Sequence, residues 1–149
     1  MLNEVKSRSA GRKVLSIIDR VRKKKAVGII YNIPKNDQAV LQNKLLDQKH
    51  IIINGSDAYT SVMLLYRLQK ILKVKRLQLS MIPGLINGNI IVLTSADGIR
   101  SSYSKVLDDF NKYKIPLLIL MNSDAPMKDF RKLGAYQRVL TIEQDYQSL

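Results

Sequence analysis

The residues best suited to catalysis are few and scattered. His50 is the only histidine and the chain has no cysteine, so a histidine-based triad or zinc site would depend on His50, which has no matched partner nearby in sequence. Five aspartates are the candidate ligands of a metal-dependent nuclease, although their spacing matches no metal-binding motif: Asp97, Asp108, Asp109, Asp124 and Asp129. The sequence therefore predicts no catalytic residue and no bound metal, and keeps a nuclease as a second alternative function.

A glycine turn between an apolar run and a helix is where a phosphate-binding loop would lie. The stretch HIIINGSDAYTS, residues 50–61, has Gly55 where a phosphate-binding loop has its first glycine. Such a loop needs a second glycine, a lysine and a hydroxyl at fixed later positions, where this chain has Thr60, Ser61 and Val62. Asp57 inside the loop would also repel phosphate. We therefore predict no cofactor and no ATP or GTP hydrolysis.

Positive charge is the strongest signal in the composition. The chain has 25 Lys and Arg residues against 12 Asp and Glu, a net charge of +13 in 149 residues. A surface of this kind attracts polyanions and releases their counterions on binding. An anionic membrane surface fits less well, because the basic segments lack a bulky aromatic face. The composition therefore favours a nucleic acid as the partner.

The basic residues concentrate in two zones. Residues 1–25 contain nine bases and two acids, and residues 58–96 contain no acid at all. Lysine and arginine neutralise phosphates without reading bases, so we expect poor sequence specificity. The predicted nucleic-acid contacts are Arg12, Lys13, Arg20, Arg22, Lys23, Lys24 and Lys25 in the first zone, and Arg67, Lys70, Lys73, Lys75 and Arg76 in the second.

Apolar periodicity along the chain alternates between strand and helix. Short apolar runs predict strands, and apolar residues at helical spacing predict helices between them. This order predicts an α/β fold with three layers: a mostly parallel five-stranded sheet, helices on both faces and a basic N-terminal helix. The predicted strands are 26–31, 50–53, 89–94, 116–121 and 138–142, with a further candidate at 76–80, and the predicted helices are 10–24, 37–47, 57–73, 99–114 and 126–133.

The same pattern predicts a single domain with extensions at both ends. Residues 1–25 are expected to form a basic arm or helix, 26–143 the α/β core, and 144–149 a flexible tail. No apolar run approaches the ~20 residues that cross a bilayer, so no membrane insertion is predicted. We expect a soluble, intracellular, cytoplasmic protein, and self-association into a homo-oligomer stays open.

From residue 36 onward the order of elements resembles the core of AAA+ P-loop proteins. HIIING (50–55) stands at the nucleotide-loop strand, NIIVLTSAD (89–97) follows, and PLLILMNSD (116–124) stands at the sensor strand, with Asn122 as the sensor-like residue and Arg138 near that family's arginine. VLDDFNKYKIPLLILMNSDAPMKDFRKL (106–133) is similar to the replication initiator DnaA and its regulator Hda. The resemblance implies a non-hydrolysing accessory protein of DNA replication, a mobile element or a virus, binding DNA or a replication protein.

A rival resemblance covers residues 64–142. LINGNIIVLTSAD (85–97), KIPLLIL (114–120) and VLTIE (139–143) are similar to kink-turn-binding ribosomal proteins. In that family a loop before the first of these strands grips RNA, and here Gly84–Asn89 keeps glycine and asparagine but has no glutamate. This resemblance implies an RNA-binding component of a ribosome or another ribonucleoprotein assembly.

Overall fold

A computed structural model describes residues 2–58, 60–97, 103–139 and 141–149, with side chains from residue 10 onward in those ranges. Helices and strands alternate along most of this length, as the sequence predicts. The elements are α1 (Leu2–Lys24), β1 (Val27–Tyr31), α2 (Lys35–Asp47), β2 (Ile51–Asn54), α3 (Ser61–Leu72), α4 (Ile82–Ile86), β3 (Ile91–Thr94), α5 (Ser104–Lys112), β4 (Leu117–Leu120), α6 (Ala125–Arg131), α7 (Gly134–Arg138) and β5 (Thr141–Asp145).

The five strands form one sheet in the order β2-β3-β4-β1-β5, and every neighbouring pair is parallel. Parallel neighbours need long crossovers, which the helices between the strands supply. The three central strands are apolar because helices cover them on both faces. The predicted α/β class with a mostly parallel five-stranded sheet is confirmed, and the sheet is entirely parallel.

The sheet separates two apolar clusters, which makes the architecture three-layered. On one face, here called the α1 face, α1 and α2 pack on alternate strand residues such as Ile30 and Leu118. On the other, the α5 face, the helices α3 to α7 pack on Ile29 and Ile119, which lie one position away. This alternation follows from the period of two along a strand.

The helix α1 is one of these layers. The sequence predicts a helix at 10–24 within a basic arm at 1–25, and the structure has a helix from Leu2 to Lys24. Its apolar stripe, which includes Val14, Ile18 and Val21, is buried in the same cluster as Leu41 and Leu118. The part of α1 whose side chains are described, from Ala10 onward, therefore belongs to the folded core.

The C-terminal residues also pack on the core, in contrast to the flexible tail predicted for 144–149. The strand β5 continues through Gln144 to Asp145. Tyr146 is buried, and its hydroxyl donates a hydrogen bond of 2.7 Å to Asp37 Oδ2 at the start of α2. The prediction missed this packing because a polar C-terminal segment with a single tyrosine has no recognisable period.

Two further predictions from the apolar pattern are wrong. Residues 76–80 form no strand, because Leu77 N donates to Gln69 Oε1 rather than to a neighbouring strand, and a 3-10 turn begins at Leu79. The helix α3 starts at Ser61 with Thr60 as its N-cap, four residues after the predicted start at residue 57. The start predicted for α5 near residue 99 lies outside the described residues.

Candidate nucleic-acid interface

The parallel sheet places the ends of four helices at one edge of the molecule. The helices α1, α2 and α5 each end three to five residues before a strand starts, so their last turns lie beside the edge where the strands begin. We place the end of α3 on the same side, because the crossover from β2 to β3 has to return from the edge where β2 ends. We call the last residues of these helices and their exits, 22–25, 44–49, 70–76 and 112–114, the basic edge. It carries one acid, Asp47, and twelve bases: Arg22, Lys23, Lys24, Lys25, Lys44, Lys49, Lys70, Lys73, Lys75, Arg76, Lys112 and Lys114.

The basic edge is open to solvent and weakly compensated. Eleven of its twelve bases are exposed, and Lys44 is half-buried against α1. Basic residues at helix C-termini also offset the helix dipole, which amounts to about −0.5 charge at each C-terminus, or roughly −2 for four helices. Twelve cations, of which Arg22 pairs with Asp19, and one carboxylate within these ranges far exceed that requirement. The excess charge is therefore available to a polyanion.

Four of these lysines share an unusual backbone conformation. Lys25, Lys49, Lys73 and Lys114 have φ of 50°, 64°, 56° and 56°, in the left-handed region. Each follows its helix in the same turn, in which its own N–H and that of the next residue bond carbonyls in the last turn of the helix. We call them the turn lysines.

A lysine at this position is not the most stable choice. Glycine, and sometimes asparagine, normally occupies it, because a side chain in the left-handed region costs about 1–2 kcal/mol. A cation near a helix C-terminus returns about 0.3–1 kcal/mol. The fold therefore carries a net cost at four positions of one edge, which indicates that the lysines serve a purpose other than stability.

None of the turn lysines takes part in the ion pairs found among the described side chains. The four ion pairs found among the described side chains all use arginine: Arg22 with Asp19, Arg67 with Asp57, Arg131 with Glu143 and Arg138 with Asp108. The Arg131 hydrogen bond is the main reason that the pKa of Glu143 lies below its ordinary value. Acids that would otherwise reduce the field of the basic edge are thus held mostly elsewhere.

The predicted contact residues divide between the basic edge and other surfaces. Eight of the twelve belong to the basic edge. Its other four bases, Lys44, Lys49, Lys112 and Lys114, were not predicted as contacts from the sequence. Arg12, Lys13 and Arg20 lie on the exposed side of α1, opposite its buried stripe. Arg67 is paired with Asp57 at 2.9 Å near the opposite end of α3, so it is the predicted contact least suited to phosphate.

The opposite edge of the sheet has a polar network where β1 and β4 end. These neighbouring strands send their connections to opposite faces, and such a divergence is where open α/β sheets bind ligands. The buried Gln38 donates to Ser95 Oγ and accepts from Asn122, whose amide also donates to Ile33 O. These side chains offer amide and hydroxyl groups.

An open pocket of about 230 Å³ adjoins this network and is lined by Lys35, Gln38, Ala39, Gln42, Ser95 and Asn122. The sequence places Asn122 after a buried strand, at the sensor-like position of the AAA+ resemblance. It is found here as the centre of the network. Gly55 lies instead beyond β2, an edge strand, so the glycine turn suspected of holding phosphate is not at the divergence point.

The acids proposed as metal ligands have other neighbours. Asp97 Oδ1 accepts from the backbone N–H of Asn122, and both oxygens of Asp108 accept from Arg138. Across the ranges that the structure describes, no three Asp, Glu or His side chains come together as a metal site. The pattern of these residues thus gives the nuclease alternative no geometric support.

His50 is a structural residue at the start of β2. It is buried, its Nδ1 accepts a hydrogen bond from Ile90 N–H at 3.2 Å, and its Nε2 lies 3.3 Å from Gln48 Oε1. Burial, and secondarily the charge of Arg22, lowers the pKa of His50. The accepting Nδ1 and the lowered pKa both favour the neutral imidazole, which links the start of β2 to the residue before β3.

This lowered pKa predicts how stability depends on pH. Above the unfolded pKa of about 6.5, His50 is neutral in both states. As the pH falls below that value, the unfolded chain binds a proton that the folded protein resists, so the free energy of unfolding decreases, by at most about 1.4 kcal/mol per pH unit. Urea unfolding at pH 7.5 and 5.5 measures the loss. His50→Gln should lack it, and an equal loss in both proteins would contradict this role.

Comparison with known proteins adds no relative. No protein-family model matches the chain, and no curated protein matches it. No helix in the described part of the chain is long and apolar enough to span a bilayer.

Proposed function

We propose that this protein is a non-catalytic accessory protein that binds nucleic acid through the basic edge, in DNA replication or in a mobile element or virus. The observation that carries the proposal is the gathering of twelve exposed or half-exposed bases and a single acid at one edge of the sheet. Phosphate neutralisation with counterion release is the interaction such a surface performs best.

An RNA-binding ribosomal or ribonucleoprotein component is the second candidate. The segment similar to the RNA-gripping loop of kink-turn-binding proteins leads directly into β3, so it adjoins the basic edge. Within it, Asn87 and Gly88 are exposed and have φ of 50° and 84°. Backbone of this kind approaches a ligand closely, which supports an RNA contact beside the lysines.

The test compares two variants that each lose four positive charges. One replaces Lys23, Lys24, Lys75 and Arg76 of the basic edge by alanine. The other replaces Lys35, Lys105, Lys128 and Lys132, which are exposed and lie outside the basic edge. Binding to 20-base-pair DNA and RNA duplexes is measured by fluorescence anisotropy across a salt series.

We expect the basic-edge variant to lose at least about tenfold in affinity, with the slope of log K against log salt reduced by about 0.9 for each lost phosphate contact. The control variant should keep most of the slope of the unmodified protein. Salt-independent binding, or equal losses in the two variants, would rule out the basic edge as the interface. Tighter binding to the RNA duplex would select the second candidate.

A further inference from the structure

We propose that the turn lysines, Lys25, Lys49, Lys73 and Lys114, are the principal phosphate contacts, and that through them the basic edge docks on the backbone of a double helix. This inference rests on the proposed function and specifies its contact residues and ligand. It starts from the coincidence that all four helices of the basic edge end in a left-handed lysine.

The turns hold these four positions rigidly. In each, the lysine N–H bonds the carbonyl three residues back, and the next N–H bonds the carbonyl five residues back, as in Lys25 to Arg22 and Ala26 to Val21. Lys25, Lys49 and Lys114 are followed within three residues by β1, β2 and β4. Their backbone is already ordered before a ligand arrives, so docking fixes only the side chains.

The four positions straddle the edge of the sheet. Lys25 and Lys49 end helices of the α1 face, whereas Lys73 and Lys114 end helices of the α5 face. The strands β2 and β1 are three positions apart in the sheet, so their axes are about 14 Å apart. Lys49 and Lys25, which precede these two strands, are separated sideways by about the same distance. A two-dimensional array of cations fits the two phosphate strands of a duplex better than a single extended strand.

The scarcity of aromatic residues at this edge also favours a duplex over a single strand. Proteins that bind single strands add exposed aromatic rings on which bases stack. Among the described residues of the basic edge the only aromatic ring is that of Tyr113, which is half-buried against the core of the α5 face. Tyr66, one turn earlier on α3, is 55% exposed, but the Lys70 ammonium lies over one face of its ring, 4.5 Å from the ring centre. The edge thus offers charge without a stacking platform.

The conformation of the turn lysines provides an unusually clean experiment. Glycine is the preferred residue in left-handed turns, so replacing all four turn lysines by glycine removes four charges from positions that accept glycine readily. The expected melting temperature is equal to or higher than that of the unmodified protein. The expected affinity for a 20-base-pair duplex is at least about tenfold lower, with the salt slope reduced by about 3–4.

An arginine variant and a lysine-protection measurement test whether the charge of the turn lysines is responsible for binding. Replacing the same four lysines by arginine keeps the charge and the conformational cost, and this variant should bind like the unmodified protein. In the unmodified protein, duplex should protect these four lysines from acetylation, as read by mass spectrometry, more than it protects Lys35, Lys105, Lys128 and Lys132. A single strand of the same length should bind more weakly than the duplex.

The failures of the two proposals are distinguishable. If the glycine variant binds normally while the variant of Lys23, Lys24, Lys75 and Arg76 does not, the turn lysines are not the contacts and the proposed function stands. A lower melting temperature for the glycine variant, or equal binding of single strand and duplex, also overturns this inference. If the unmodified protein binds no nucleic acid in a salt-dependent way, both proposals fail.

Discussion

Replacing Val14 by aspartate is expected to unfold the protein. Val14 is fully buried between α1 and the sheet, in an apolar cluster with Ile18 and Leu118. A carboxylate placed there is desolvated without a partner, which costs about 4 kcal/mol or more. Small domains are stable by only about 5–15 kcal/mol, so this cost removes from about a quarter to nearly all of the stability. Urea unfolding followed by circular dichroism measures the change.

Ser16→Asp is the matched control on the same helix. Ser16 is exposed on the opposite side of α1, so the same new side chain stays in water, and the free energy of unfolding should change by no more than about 0.5 kcal/mol. If Val14→Asp were equally harmless, α1 would be a detachable arm rather than a layer of the core. The pair of variants therefore separates the structural role of α1 from its charge.

For α1, the sequence predicts the helix and its apolar stripe but not the surface on which the stripe packs. The spacing of Val14, Ile18 and Val21 correctly predicts a helix with an apolar stripe. The stripe can pack closely on β1 only because residue 28 is a glycine: a Cβ atom there would lie 2.6 Å from Val21 Cγ2. This close approach joins residues of two elements, and the pattern within either element does not contain it.

The five strands could be predicted from their apolar runs, whereas the strand predicted at 76–80 does not form. All five strands of the sheet lie within one to three residues of apolar runs that the sequence marks out, since the sheet is covered on both faces. Leu77 and Leu79 show the same alternation and are half-buried in the same core. There, the Gln69 side chain satisfies the backbone at Leu77, which a local pattern cannot anticipate.

The charge of the candidate interface was predictable, but its arrangement was not. Counting residues shows two basic zones, and only the parallel topology brings the ends of α1, α2, α3 and α5 to one edge. The turn lysines were harder still, because helix ends are recognised in sequence by glycine or asparagine. A retrospective signal exists: Lys25, Lys73 and Lys114 each stand between a helical pattern and an apolar residue, where a left-handed residue is required.

Replacing Gly55 by alanine is expected to cost about 1–3 kcal/mol of stability, because the new methyl group has no space. A Cβ atom at this position would lie 2.8 Å from Ala96 Cα, 2.9 Å from Thr94 O and 3.1 Å from Ser95 O. All three are backbone atoms at the end of β3 and just after it. Backbone atoms cannot move aside as the end of a flexible side chain can. Thermal and urea unfolding of the variant measure the loss.

Gly84→Ala is the control for this substitution. No atom lies within 4 Å of the Cβ position at Gly84, which is exposed in the helix α4, so alanine there should be neutral or stabilising by about 0.5–1 kcal/mol. If the two variants were equally stable, Gly55 would not be required by the contact with residues 94–96. A glycine that resembles part of a phosphate-binding loop is explained here by packing: it lets β2 leave the sheet close beside β3, and phosphate has no part in that requirement.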